Sequence, residues 1–154
     1  MTPATKSLEA AQIAFELLEY RSTGGRDIGR SAALALNLDT SVVFKTLVAE
    51  LNTGGLAVAV IPVSGQLDLK CLARAANTKS ASMASAEQAE KATGYVTGGI
   101  SPIGQKRLLP TYLAEQATAF EQIYVSAGKR GLELALSPAD LIRITGATVC
   151  RLTR

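Results

Sequence analysis

In a chain without a single histidine, acid–base chemistry must come from lysine, carboxylates, hydroxyls, backbone amides or the substrate itself. Lys45 is the residue whose setting most demands a chemical explanation. Val43 to Leu51 reads as a strand, followed by Asn52-Thr53-Gly54-Gly55 and a second strand from Leu56 to Ile61. With a side-chain period of two, Lys45 shares a face with Val43, Leu47, Ala49 and Leu51, and that face is the apolar one. Phe44, Thr46, Val48 and Glu50 form the mixed face. An ammonium aimed into apolar surroundings costs free energy unless an anion or a polar cavity receives it. Three readings stay open for it. It could form a half-buried ion pair with Glu19 or Asp68, act as a base with a pKa depressed by burial, or anchor an anionic ligand.

The second constellation runs from Thr93 to Arg107, with four glycines (Gly94, Gly98, Gly99, Gly104) and Pro102 inside eleven positions. Such a path needs unusual torsions or close approaches. Its bare amides at Gly98 and Gly99 could serve a carbonyl, oxyanion or phosphate, with Ile100, Ser101 and Pro102 fixing the loop's shape. Neither the spacing nor the following segment fits a Walker or Rossmann fingerprint. Ser126 closes an apolar strand just before Gly128-Lys129-Arg130-Gly131, where a hydroxyl beside a basic turn can orient a ligand or simply cap the turn. Without a histidine it cannot be a triad nucleophile. Tyr20, at the end of a short strand from Phe15, reads as a rim packing residue or a ligand contact.

These groups must be positioned by short elements. A helix is expected over Lys6 to Ala14 behind a Thr5 cap, another over Ile28 to Leu36, and a third over Leu67 to Ala76. A short strand is expected at Ser80 to Met83. Ser85-Ala86-Glu87-Gln88 resembles a capping box opening a helix to Ala92, and Gly94 to Pro110 reads as loop and irregular strand. Strands at Ile123–Ser126 and Leu132–Leu136 flank the basic turn. A helix capped by Ser137, with Pro138 at its first position and Gly146 at its end, precedes a last strand, Ala147 to Leu152. Hairpins interleaved with short helices predict an α/β (α+β) fold, a mixed and largely antiparallel sheet or partial barrel flanked by helices, in one domain spanning residues 1–154.

Composition excludes several classes. A hydrophobic share of 47% against 19% charged residues argues against disorder. No segment approaches the roughly 20 apolar residues of a membrane span, and the N-terminus lacks the plan of a signal peptide, so a cytoplasmic protein is expected. Cys71 and Cys150 read as reduced thiols, and no metal site or cofactor motif stands out. Sixteen basic against thirteen acidic residues, a net +3, is too little to imply nucleic acid. Its distribution says more, for the acid-free stretches carry Lys91, Lys106 and Arg107 in one and Lys129 and Arg130 in the other, as a phosphate-bearing ligand would favour.

Several blocks together carry a family resemblance: Met1-Thr2-Pro3-Ala4, Phe44-Lys45-Thr46-Leu47, Gly65 to Lys70, TGYVTGGISPIGQKR from Thr93 to Arg107, and Ile123 to Leu132. Nearly end to end, the chain resembles the YbaK/EbsC family of aminoacyl-tRNA deacylases, in the branch that hydrolyses Cys-tRNA(Pro). The resemblance implies the fold of the editing domain of bacterial prolyl-tRNA synthetases, and removal of cysteine mischarged onto tRNA(Pro) in trans, alongside prolyl-tRNA synthetase. It gives Lys45 the task of holding the 3′-terminal adenosine or its phosphate, and Gly98 to Pro102 that of cradling the aminoacyl group. Tyr20, Thr46, Ser126 and Glu133 match substrate-binding positions. The implied chemistry suits a chain without histidine: the substrate's own thiol attacks the ester, so the protein supplies position and amide donors. After Tyr20 many relatives continue with an acidic, histidine-containing stretch; here it is Arg21 to Arg26. An Ala-tRNA(Pro) deacylase and a non-catalytic module binding a tRNA 3′ end or nucleotide are the competing expectations.

Overall fold

The computed structural model describes residues 1–21 and 28–154. The segment Ser22 to Asp27, most of the stretch in which the chain departs from its relatives, lies outside the described residues. Eight strands form two sheets among the described residues. The first orders β1 (Glu16–Glu19), β7 (Leu132–Leu136) and β6 (Ile123–Lys129), all antiparallel. The second orders β4 (Ala81–Met83), β2 (Phe44–Leu51), β3 (Leu56–Pro62), β5 (Thr111–Ala114) and β8 (Thr148–Cys150). Its β4–β2 and β2–β3 pairs are antiparallel, whereas β3–β5 and β5–β8 are parallel. This is the mixed, mainly antiparallel α/β fold expected.

Helices α2 (Ile28–Ala35), α3 (Leu69–Ala75), α4 (Ala86–Thr93) and α5 (Pro138–Thr145) fall where local signals put them. Ser85 accepts from the Gln88 amide while the Gln88 side chain accepts from Ser85's N–H, a complete capping box. Ser137 caps α5, Pro138 opens it, and Gly146 ends it in the left-handed region.

Helix α1 corrects the sequence reading. It spans Pro3–Ala10 with Thr2, not Thr5, as its cap; Thr5 is the third helical residue and returns the second bond of the box. Pro3 at the first position, where no amide partner is needed, moves the start forward. The Thr2 hydroxyl also donates to Ala127 O at 2.6 Å, tying the helix to β6. Strand β5 was missed altogether, because a four-residue run behind Pro110 has no period of its own. Its parallel pairing to β3 is a long-range choice that local pattern does not carry. Of the loop and irregular strand expected over Gly94 to Pro110, the structure forms only the loop.

The main core, centred on Leu8, Ile61, Leu72, Ile103, Leu113, Leu134 and Leu152, lies among the sheets and helices, and a smaller cluster of Ala33, Val43 and Val63 is separate from it. The glycine-containing loop is locked to the main core from behind. Tyr95, buried and with its phenol pushed up to about 12 by desolvation, donates to Ile103 O at 2.6 Å. Gly104 sits at φ +71, and a Cβ there would lie 2.6 Å from the backbone oxygen of Pro3. Gly104→Ala is therefore expected to cost about 2–4 kcal/mol from backbone strain and displacement of α1, read as a drop in the urea-unfolding midpoint.

Candidate active site

The two sheets touch at one point and then part. Val43 pairs with Tyr124 in an isolated parallel bridge, and the Tyr124 amide donates to Val42 O at 3.0 Å. Lys45 and Ser126, each two residues further along, both face a cavity of about 600 Å³ that opens beyond the bridge. Glu133 is registered opposite Ser126 on β7. Two strands and a cross-strand partner thus bring an ammonium, a hydroxyl and a carboxyl to one opening.

Lys45 is half-buried, with the fully buried Ile61 opposite it on β3. The ion-pair reading fails: among the described residues no carboxylate pairs with Lys45. Asp68 instead caps α3, accepting from the Lys70 amide at 2.9 Å and the Cys71 amide at 3.3 Å, while Glu19 is exposed. Nor does β2 have one apolar and one mixed face. Phe44 and Val48 are buried as Val43 and Ala49 are, so both faces of β2 are covered. The cavity, not a dry core, receives the lysine.

The cavity brings together Lys45, Thr46, Gly98, Ile100, Ser126, Arg130 and Glu133 of the expected residues. Thr46 Oγ1 and Glu133 Oε2 are both buried there without a hydrogen-bond partner. Ser126 Oγ accepts from the Gly128 amide at 3.1 Å, shaping the turn and leaving its proton for another acceptor. Gly98, at φ +95, lies under the Arg130 guanidinium: a Cβ would sit 2.5 Å from its Nε and 2.6 Å from Ile28 Cδ1.

Other expected residues stand behind the wall rather than in it. Gly99 is buried outside the lining, and its amide donates to Val96 O at 2.9 Å, so it has no donor to spare for an oxyanion. Its missing side chain serves packing, since a Cβ would lie 2.9 Å from Lys129 Cα. Gly98 and Ile100 line the cavity, and their amides donate to no protein group among the described residues. Ser101 is fully buried and accepts from the Ile103 amide at 3.2 Å; Pro102 is buried beside it. Gly128 gives room to the Tyr95 ring, and Lys129 is exposed beyond the rim. Tyr20 is half-buried and absent from the lining; its amide donates to Gly131 O at 2.9 Å. Burial raises its phenol's pKa, and the charges of Glu133 and Arg130 both act on it.

The sequence reading did not place the first turn of α4 in the site, yet Ser85, Ala86 and Ala89 form one wall. The capping box that announced this helix also announced the positive end of its dipole, which favours an anion nearby. Glu90 on the same helix accepts from the Thr97 amide at 2.8 Å, and that bond holds its carboxylate below the usual range. This bond latches α4 to the loop one residue before Gly98. Glu90→Ala should lower kcat/KM for the site's reaction about tenfold by freeing the loop, whereas Glu90→Gln, which keeps an acceptor, should retain most of it.

The model of the aminoacyl-tRNA editing domain family matches residues 25–144, most of the chain and all of the cavity's strands. The chain belongs to this family. This editing domain is 38% identical over 152 residues to a protein of Enterococcus faecalis provisionally named Cys-tRNA(Pro)/Cys-tRNA(Cys) deacylase EbsC, covering 99% of this chain and 93% of the relative. Among solved structures, one described provisionally as a trans-editing enzyme for prolyl tRNA synthetase superposes with a TM-score of 0.86 at 23% identity, covering 100% of this chain and 99% of the other. Another, described only as a hypothetical protein, gives 0.89 at 24%, covering 99% and 100%. At those identities the solved structures establish the shared fold. Among the described residues, no helix of this editing domain is long and apolar enough to cross a membrane.

Proposed function

We propose that the protein is a trans-acting deacylase that hydrolyses Cys-tRNA(Pro), with the ester bond to the terminal ribose bound in the cavity beside Lys45. The observation that carries this reading is the convergence of Lys45, Ser126, Glu133 and two unengaged loop amides on one opening. Its volume of about 600 Å³ lies within the range of small-molecule sites. Lys45, Arg130 and the first turn of α4 supply positive potential for the terminal nucleotide, and Gly98 and Ile100 point to where the aminoacyl carbonyl would lie. The name of the 38% identical relative supports the substrate class.

The chemistry needs no histidine. The cysteinyl thiol loses its proton and its sulfur attacks the ester carbonyl. The carbonyl oxygen gains charge in the tetrahedral intermediate, where the Gly98 and Ile100 amides are the donors this chain offers. Collapse breaks the bond to the ribose oxygen, which takes a proton as the tRNA leaves, and the thiolactone hydrolyses afterwards. Holding thiol and carbonyl together gives an effective molarity on the order of 10⁵ M or more, so positioning supplies most of the rate. Selectivity over alanine and proline then follows from chemistry, since neither side chain carries a nucleophile. The protein would act in the cytoplasm with prolyl-tRNA synthetase as its partner.

Side-by-side deacylation of Cys-tRNA(Pro), Ala-tRNA(Pro) and Cys-tRNA(Cys) tests the reading. Both cysteinyl esters are expected to be cleaved and the alanyl ester spared. If the alanyl ester is the one hydrolysed, thiol attack cannot be the mechanism. Salt-dependent tRNA binding with all three esters intact would leave a binding module instead.

A further inference from the structure

Three cations that stand out in the sequence have no task in the ester chemistry. Lys91, Lys106 and Arg107 fall in the stretch between Glu90 and Glu115 that holds no acidic residue. The fold gathers them at one place. The Lys106 amide donates to Thr93 O at 2.9 Å and the Arg107 amide to Ala92 O at 3.0 Å. The loop thus folds back across the end of α4, whose last turn carries Lys91. All three residues are exposed, and among the described residues none has an ion pair or a side-chain hydrogen bond.

Stability does not account for the cluster. The dipole favours a cation near a helix C-terminus, but a second and a third repel the first. The carboxylates of α4 are turned to other uses or stand away. Glu90 accepts from the Thr97 amide at 2.8 Å, and Glu87 lies in the first turn, at the opposite end. Three unpaired cations on one exposed end are the footprint of an anionic partner.

The chemistry of that partner follows from where the cluster stands. The first turn of α4 walls the cavity through Ser85, Ala86 and Ala89, and the cations lie at the far end of the same helix. Eight residues at about 1.5 Å each put about 12 Å between the two ends. A stacked nucleic-acid strand carries a phosphate about every 3.4 Å. A strand that places its terminal nucleotide in the cavity and runs along α4 therefore brings roughly its third or fourth phosphate to the cations. The unpaired 3′ end of a tRNA has that reach before its first base pair. An acidic protein surface could also neutralise the cluster, but it would not require this distance from the cavity.

We propose that Lys91, Lys106 and Arg107 form a phosphate-binding track for the unpaired nucleotides that precede the terminal adenosine of the tRNA. The inference rests on the ester-binding reading above and extends it beyond the cavity. The cavity takes the ester, and the far end of α4 holds the strand that enters it. Such contacts go to the backbone, so they position the strand and weaken steeply with salt.

The test compares two substrates with the isolated full-length protein: Cys-tRNA(Pro), and adenosine carrying a 3′-cysteinyl ester, which fills the cavity without reaching the track. Lys91→Ala/Lys106→Ala/Arg107→Ala is expected to raise KM for Cys-tRNA(Pro) about 10–100-fold at low salt, with kcat and cleavage of the adenosine ester unchanged. The plot of log kcat/KM against log salt should flatten by about 2, from about 0.7 for each of three phosphates. Circular dichroism should show an unchanged fold, since all three side chains stand at the surface. The control Arg74→Ala/Lys79→Ala/Arg151→Ala removes the same charge from exposed positions elsewhere and should leave KM within about threefold. An unchanged KM for the tRNA in the first variant overturns the track. So does an equal loss in the control, which would mean long-range attraction by net charge. An equal loss on both substrates also overturns it, making the three residues supports of the cavity. A KM effect that appears only when prolyl-tRNA synthetase is added overturns it as well, and makes the cluster a protein-docking face. Wild-type protein that cleaves neither ester sinks the deacylase reading and the track together, whereas the other failures leave that reading standing.

Discussion

Lys45→Ala is expected to reduce kcat/KM for deacylation of Cys-tRNA(Pro) by about 10²–10³-fold, the loss of one charge-assisted contact that holds the terminal nucleotide, while the protein stays folded. Both halves of this expectation come from the setting of the lysine. Its ammonium has no protein partner among the described residues, so truncation strands no buried carboxylate. It faces a cavity rather than the dry core, so little packing is lost. Lys45→Met, which keeps most of the aliphatic stem, should fail equally, because the charge and not the stem does the binding. Initial rates alongside urea-unfolding midpoints would decide it. An alanine variant of near-normal activity would remove Lys45 from the site, and a variant that unfolds would return it to a structural role.

The second large effect is on stability, and it belongs to Glu133. In the unfolded chain its carboxyl titrates near the ordinary glutamate value of about 4.3, whereas burial in the fold pushes it up to about 8. The folded state therefore holds the proton more tightly. Its contribution is complete below the unfolded pKa, declines by about 1.4 kcal/mol per pH unit above it, and is lost once pH passes the folded pKa. The total is on the order of 5 kcal/mol between pH 4 and 8. Little else competes in that window. The chain has no histidine, and Asp39, Asp68 and Glu90 lie below the ordinary carboxylate range, so their linkage acts at lower pH. Urea unfolding of the wild type should lose stability steadily from pH 5 to 8, and Glu133→Gln should flatten that slope and be the more stable protein at pH 8. Parallel slopes for the two proteins would mean that the carboxyl is solvated in solution.

These two residues also show how much of the site was legible in the sequence. Lys45 stood out because one charge on the apolar face of a strand breaks a period of two, and that is visible locally. Glu133 breaks the same rule within Leu132 to Leu136, but its weight came from the family resemblance and not from its pattern. Burial with an orphaned oxygen depends on segments distant in sequence, with β1 and β6 on either side of β7. Gly98 and Gly99 are indistinguishable by type and spacing. Only the fold shows that the first lines the cavity and the second spends its amide on Val96 and its bareness on the Lys129–Arg130 backbone. The first turn of α4 was read correctly as a capped helix and overlooked as a wall.

By itself the sequence determined what is decided within a few residues. The caps at Ser85 and Ser137, the stop at Gly146 and the β2–β3 hairpin each follow from a local hydrogen bond or torsion. The absence of histidine excluded whole classes of mechanism. The tertiary structure alone decided where the cavity is, because the opening exists only where β2 and β6 separate beyond the Val43–Tyr124 bridge. It also decided that β5 joins the sheet, and which polar atoms are left unpaired. Such outcomes depend on contacts between distant segments, and desolvation is a property of everything that surrounds a group, which no spacing along the chain encodes.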